Sequence, residues 1–189
     1  MKKLLGKALS LLLICFLSIT SIVAQDDLGT NQSYFSEFQA TQSAKDRFLL
    51  FFNTNNRYNQ NSSFDWLDEV NVYLNGALQQ KDTVAADYYK IIQAQIFYDI
   101  GDYDKSLATS NELYKVKDNL DLESKTILLD LMDQTYSKLE RYSEQIEIRK
   151  EKKELGITEE VAFYDIYSNL GLHRLAMEDY ILEEKNKIK

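Results

Sequence analysis

From Ala44 onward, apolar residues recur at helical spacing and rarely alternate. Phe48, Leu49, Phe51 and Phe52 mark one stretch at about 44–54. Phe64, Leu67, Val70, Tyr73, Leu74 and Leu78 mark the next, at about 63–79. Positions three and four apart share one face of a helix, so each stretch is predicted to be an amphipathic helix. The same reading pairs about 83–99 with 104–117, about 121–139 with 143–155, and about 158–170 with 174–187, giving four helical hairpins in all. Their corners are short: Gly101-Asp102-Tyr103, Glu140-Arg141-Tyr142 and Gly171-Leu172-His173. A longer Asn-rich loop runs from Asn53 to Asn61. Ser62 or Ser63 caps the helix after it, with Asp65 and Asp68 near its positive end. Gly156 marks a helix stop, and Thr158 before Glu159-Glu160 a start. Residues 25–43 are polar and read as a flexible leader, in which Tyr34, Phe35 and Phe38 predict a short capping helix.

The first 24 residues have a different pattern. Lys2, Lys3 and Lys7 precede an apolar run from Ala8 to Val23 that closes on Ile22-Val23-Ala24. Positive head, apolar middle and small-residue exit make a secretory signal peptide. A membrane anchor wants about 20 apolar residues, more than this run holds. A lipoprotein cysteine usually follows a small residue, whereas Cys15 follows Leu13-Ile14 and is read as a hydrophobe of the signal. The expectation is export, to the periplasm or beyond the cell, with no membrane insertion after cleavage and one domain over 44–189.

Composition sharpens this picture. Cys15 is the one cysteine, so the mature chain has neither disulfide nor thiolate metal site. Losing three lysines and no acid moves the formal charge from −8 to −11. That acidity disfavours nucleic acid and anionic lipid surfaces, both of which need Lys and Arg. No proline and few glycines suit long helices with tight corners rather than a β-sandwich.

Three segments align: Phe97–Leu107, Tyr136–Ile146 and Tyr167–Met177. Each carries an aromatic, an aliphatic three later, a ring three after that at Tyr103, Tyr142 or His173, then a small or neutral polar residue and an aliphatic. The rings are 39 and 31 residues apart, straddling the 34-residue period of tetratricopeptide repeats. Phe97-Tyr98-Asp99-Ile100-Gly101-Asp102-Tyr103-Asp104-Lys105-Ser106-Leu107 resembles that family's inter-helix turn. Gly101 and Gly171 match the corner glycine and Glu140 departs from it. Ser106, Gln145 and Ala176 stand at the small position. The combination of signal and degenerate repeats is similar to exported proteins of Bacteroidetes-type bacteria. The resemblance, over about 85–187, implies an all-α, TPR-like α-solenoid in which stacked hairpins bury a continuous core. A ring buried at each corner contributes roughly 4–6 kcal/mol gross at about 25 cal/mol/Å².

The resemblance also implies a concave groove lined by the first helix of each hairpin. Tyr88, Ile91, Gln95 and Tyr98 would line it in one repeat, Ile127, Asp130 and Gln134 in the next, and Val161, Asp165 and Ser168 in the last. Tyr, amide and acid side chains suit peptide or protein recognition, with packing against a neighbouring hairpin as the competing role. Catalytic motifs are missing. His173 is the lone histidine, too few for a His-based triad or a two-His metal site, and is expected to pack at its corner. No Gly-rich phosphate loop, Gly-x-Ser-x-Gly or calcium loop occurs. Asp65, Asp68, Glu69, Glu159 and Glu160 read as solvated faces and dipole partners. Arg149, Lys150, Lys152 and Lys153 complement a helix C-terminus or form a docking patch for an acidic partner. Trp66 is expected in the core of the first hairpin. The function expected is a protein- or peptide-binding scaffold without catalysis or cofactor. An accessory subunit of an envelope assembly and an enzyme with an unrecognised carboxylate site are the alternatives.

Overall fold

A computed structural model of the protein describes residues 31–55, 57–59, 61–157 and 163–187. The signal segment, Thr158-Glu159-Glu160 and Val161 lie outside them. Among the described residues the fold is all-helical, with no strand. Helices α1 (Asn31–Ala40), α2 (Ala44–Asn53) and α3 (Ser63–Gln80) come first. Then follow α4 (Thr83–Asp99), α5 (Tyr103–Tyr114), a 3₁₀ turn (Lys117–Asn119) and α6 (Leu122–Lys138). Helices α7 (Tyr142–Glu154), α8 (Tyr164–Asn169) and α9 (His173–Lys187) complete the chain. The second helix of the second hairpin stops at Tyr114 rather than 117. There Val116 N–H bonds the Leu113 carbonyl at 3.0 Å, and Asn119 N–H bonds that of Val116 at 2.9 Å, tightening the chain into 3₁₀ geometry.

Two compact units divide the chain, one ending at Trp66 and one starting at Leu67, so the boundary falls in the first turn of α3. The first unit is held by aromatic rings. Trp66 is 1% exposed and meets Phe35, Phe38 and Phe51 edge-on at centroid distances of 4.9, 5.0 and 5.4 Å. Its indole N–H donates to the Arg57 carbonyl at 2.9 Å. The buried Arg47 donates from Nε to the Phe38 carbonyl at 3.0 Å, tying α2 to the end of α1. Ser62 closes a capping box with Asp65: the Asp65 N–H donates to Ser62 Oγ, and the Ser62 N–H to Asp65 Oδ2 at 2.8 Å.

In the second unit α4 packs on α5 and on α6, α5 on α6, α6 on α7, α7 on α8 and α8 on α9. Ile91, Ile92, Ala94 and Ile96 of α4 and Leu128, Leu129, Leu131 and Met132 of α6 are its buried centre. The seam between α5 and α6 is made of small polar residues. Ser106 and Thr135 are fully buried, with their hydroxyls 3.4 Å apart, and Thr135 Oγ1 also donates to the Leu131 carbonyl. At the aligned position after the second corner stands the larger Gln145, whose amide donates to Asp133 of α6 at 2.6 Å.

The three aligned corners share one backbone. Gly101, Glu140 and Gly171 have φ of 83°, 57° and 71°, in the left-handed region. At each corner this residue's N–H reaches the carbonyl three residues back, and the next N–H reaches the carbonyl five back. At the first corner these bonds are Gly101 to Tyr98 at 3.0 Å and Asp102 to Phe97 at 2.8 Å. The second has Arg141 to Tyr136 at 2.9 Å, and the third Leu172 to Tyr167 at 2.8 Å. These bonds satisfy carbonyls that the helix end would orphan. The following residue then starts the next helix. Asp102 accepts the Lys105 N–H on its side chain, and its carbonyl accepts the Ser106 N–H. The chain thus reverses within three residues without proline. The corner rings are less buried than expected. Tyr103 and Tyr142 are half-buried, and His173 is exposed. His173 is thus no packing residue: it is the first residue of α9, which packs chiefly on α8 and leaves that end uncovered.

Candidate functional site

The residues expected to line a groove fall into three groups. Ile91 is fully buried and is a core residue, because α4 is covered on most of its circumference. Tyr88 is nearly buried and sends its hydroxyl to Asp121 Oδ2 at 2.9 Å. The Gln95 amide donates to Asp99 on its own helix at 2.7 Å, and the half-buried Tyr98 ring lies 5.4 Å from Tyr103. On α6, Ile127 is half-buried, Gln134 is exposed and Asp130 pairs with Lys152 of α7 at 2.5 Å. On α8, Ser168 is exposed and Asp165 receives the Arg149 guanidinium on both oxygens, at 2.9 and 3.2 Å.

The basic run of α7 spends its charge inside the fold. Arg149 Nε reaches both oxygens of Asp133 at 3.1 Å while its other nitrogens hold Asp165, so one guanidinium joins α6, α7 and α8. Burial opposes its charge. The Asp165 hydrogen bonds and the charges of Asp133 and Asp165 outweigh burial and raise its pKa above the ordinary arginine value. Lys150 pairs with Glu147 on the same helix. The docking-patch alternative therefore loses Arg149 and Lys152, which face acids of their own chain.

A cavity of about 370 Å³ lies in the second unit, where α4 begins and α5 ends. Val84 of α4, Leu113 and Val116 of the α5 end, and Leu120 beyond the 3₁₀ turn supply aliphatic walls. Asp87, Glu112 and Asp121 supply three carboxylates, and Lys90 one cation. Asp121 caps α6, taking the Ser124 N–H at 2.9 Å and the Ser124 hydroxyl at 2.7 Å on the oxygen that Tyr88 does not use. Lys90 leans across to Glu112 at 3.6 Å. Asp87 is half-buried and makes no hydrogen bond or ion pair among the described residues. Burial pushes its carboxyl above the usual aspartate range, with the Lys90 charge pulling the other way.

No protein-family model, curated protein or solved structure matches the chain. The tetratricopeptide resemblance therefore stands on this chain's own residues. The cavity was missed by sequence reading except for Tyr88. Its walls come from residues 83 to 124 on four elements, and the one local signal was an Asp cap at each helix start. Among the described residues no helix is long and apolar enough to cross a membrane, and no group of three or more His, Cys, Asp or Glu is placed to hold a metal ion.

Proposed function

We propose that the protein is an exported, TPR-like α-solenoid that binds a protein or peptide partner as a scaffold, without chemistry of its own. The observation that carries this reading is the alignment of three corners, at 101, 140 and 171, each passing directly from one helix into the next through a left-handed residue with two capping bonds, a closure that Lys81 and Gly156 share. A helix pair so closed has one apolar face to bury and gains by stacking on a neighbour. The order of contacts from α4 to α9, each helix on the next, with α4 also on α6, supports stacking. Tyr98, Gln134 and Ser168 keep exposed or half-exposed surface on the first helices of successive pairs and are the groove residues we assign to a partner. Export rests on residues 1–24.

Two measurements test this. Mass spectrometry of the protein recovered from its native envelope reads an N-terminus at Gln25 if the signal is cleaved, whereas retention of Met1 refutes export by this route. A pull-down from envelope extract compares the native chain with Gln134→Arg plus Ser168→Arg. These sites are exposed, so the variant keeps its helical circular dichroism. Loss of the partner supports the groove, and retained binding removes it.

The exposed Leu175, Met177, Ile181 and Leu182 of α9 favour a second reading, an accessory subunit of an envelope assembly. A stable heteromeric complex on gel filtration of the extract distinguishes it from a transient binder.

A further inference from the structure

We propose that the cavity between the start of α4 and the end of α5 seats a lysine or arginine side chain of a bound peptide. This rests on the reading of the protein as a peptide-binding scaffold and names the residue class that the scaffold selects. The cavity volume, about 370 Å³, sits at the small end of the range for ligand sites and suits a side chain rather than a large cofactor. Its chemistry is two-part. Val84, Leu113, Val116 and Leu120 form apolar walls, and Val84 and Val116 remain exposed at 60% and 40%. Three carboxylates stand against one ammonium, so the cavity is acidic by two charges.

Among those carboxylates Asp87 is the one left for a ligand. Asp121 is held by Tyr88 and Ser124, and Glu112 has Lys90. A half-buried carboxylate beside aliphatic side chains has lost water without gaining a donor, which is unfavourable. An aliphatic stem with a cationic head corrects both parts at once. The methylenes lie on the valines and leucines, and the head donates charge-assisted hydrogen bonds to Asp87. An anionic ligand meets three like charges. A purely apolar ligand dries Asp87 further and supplies no donor. Charge and shape together therefore select a long basic side chain.

The experiment is selection of a random-peptide phage library on the purified protein, followed by binding of a selected peptide to protein variants. The expected result is a Lys or Arg at one fixed position. Replacing that residue by norleucine weakens binding at least about tenfold, the worth of a charged hydrogen bond. In Asp87→Asn the preference for the basic peptide over its norleucine version falls to about twofold or less on the same energy scale. Val84→Arg, at an exposed rim position, blocks the basic peptide if Asn at 87 perturbs folding. Selected peptides with no fixed basic position overturn the cavity proposal and leave the scaffold reading standing. So does a preference unchanged in Asp87→Asn. A library that yields no specific peptide overturns both.

Discussion

Glu140 shows what a corner asks of a single residue. It holds φ of 57° where the two aligned corners use glycine, and the left-handed conformation costs an L-residue about 1–2 kcal/mol. Glu140→Gly removes that strain and gives back part as unfolded-chain entropy. The expected gain is about 1 kcal/mol in urea unfolding. Gly101→Ala runs the other way. An added Cβ there meets nothing within 4 Å, so the loss, about 1 kcal/mol, is conformational alone. Asp87 gives a prediction in pH. Burial raises its folded pKa above the ordinary aspartate value of 3.8, with the Lys90 charge opposing. The folded state then binds the proton more tightly than the unfolded state. Stability falls as pH rises from below 3.8 through the raised value and stays lowered above it. Asp87→Asn is therefore expected to raise the melting temperature at pH 7, and the two curves converge below pH 3.8. A variant less stable than the native chain at neutral pH contradicts that sign.

At the scale of elements, α7 is held by polar contacts more than by apolar ones. Only Gln145 and Ile148 of its residues are buried, and both sit among hydrogen bonds and ion pairs to α6 and α8. Arg149→Met keeps the stem and removes the fork, leaving Asp133 largely buried with less compensation. The expected loss is about 2–3 kcal/mol, since breaking a charged hydrogen-bonded pair strands its partner. A guanidinium-chloride midpoint unchanged by Arg149→Met shows that the pairs contribute nothing net. Helix positions were legible in the sequence because apolar spacing and the short corners agree; that Asp82, Asp102 and Asp121 cap the helices after them is a finding of the structure. Which face of a helix points inward was not. Tyr88, Tyr89, Ile91, Ile92, Ala94 and Ile96 are all buried, so α4 has no narrow apolar stripe from which a groove register follows. That is why Ile91 was assigned to the groove and lies in the core. The ion pairs of Asp130 and Asp165 were equally hidden, because their partners stand on other elements.

At the scale of the whole molecule, the division at Trp66 makes cooperativity measurable. The sequence reads 44–80 as one hairpin, yet its first helix and Trp66 belong to a ring cluster with Phe35, Phe38 and Phe51 in the first unit. The reason lies in the spacing of rings. Trp66 comes one turn into α3, so its indole joins the rings of α1 and α2, while Val70, Leu74 and Ala77 beyond it belong to the second unit. Trp66→Ala removes the largest buried side chain of the first unit and the donor to the Arg57 carbonyl. Truncations of this kind cost about 3–5 kcal/mol, roughly a fifth or more of the stability of a small protein. If the units open separately, hydrogen exchange at Phe48 and Phe51 accelerates about a hundredfold or more, by the usual conversion of free energy to equilibrium. The amides of Ile91 and Leu128 then keep their protection, because their own packing is intact. Equal acceleration at all four amides means instead that α3 transmits the loss and that the chain unfolds as one body.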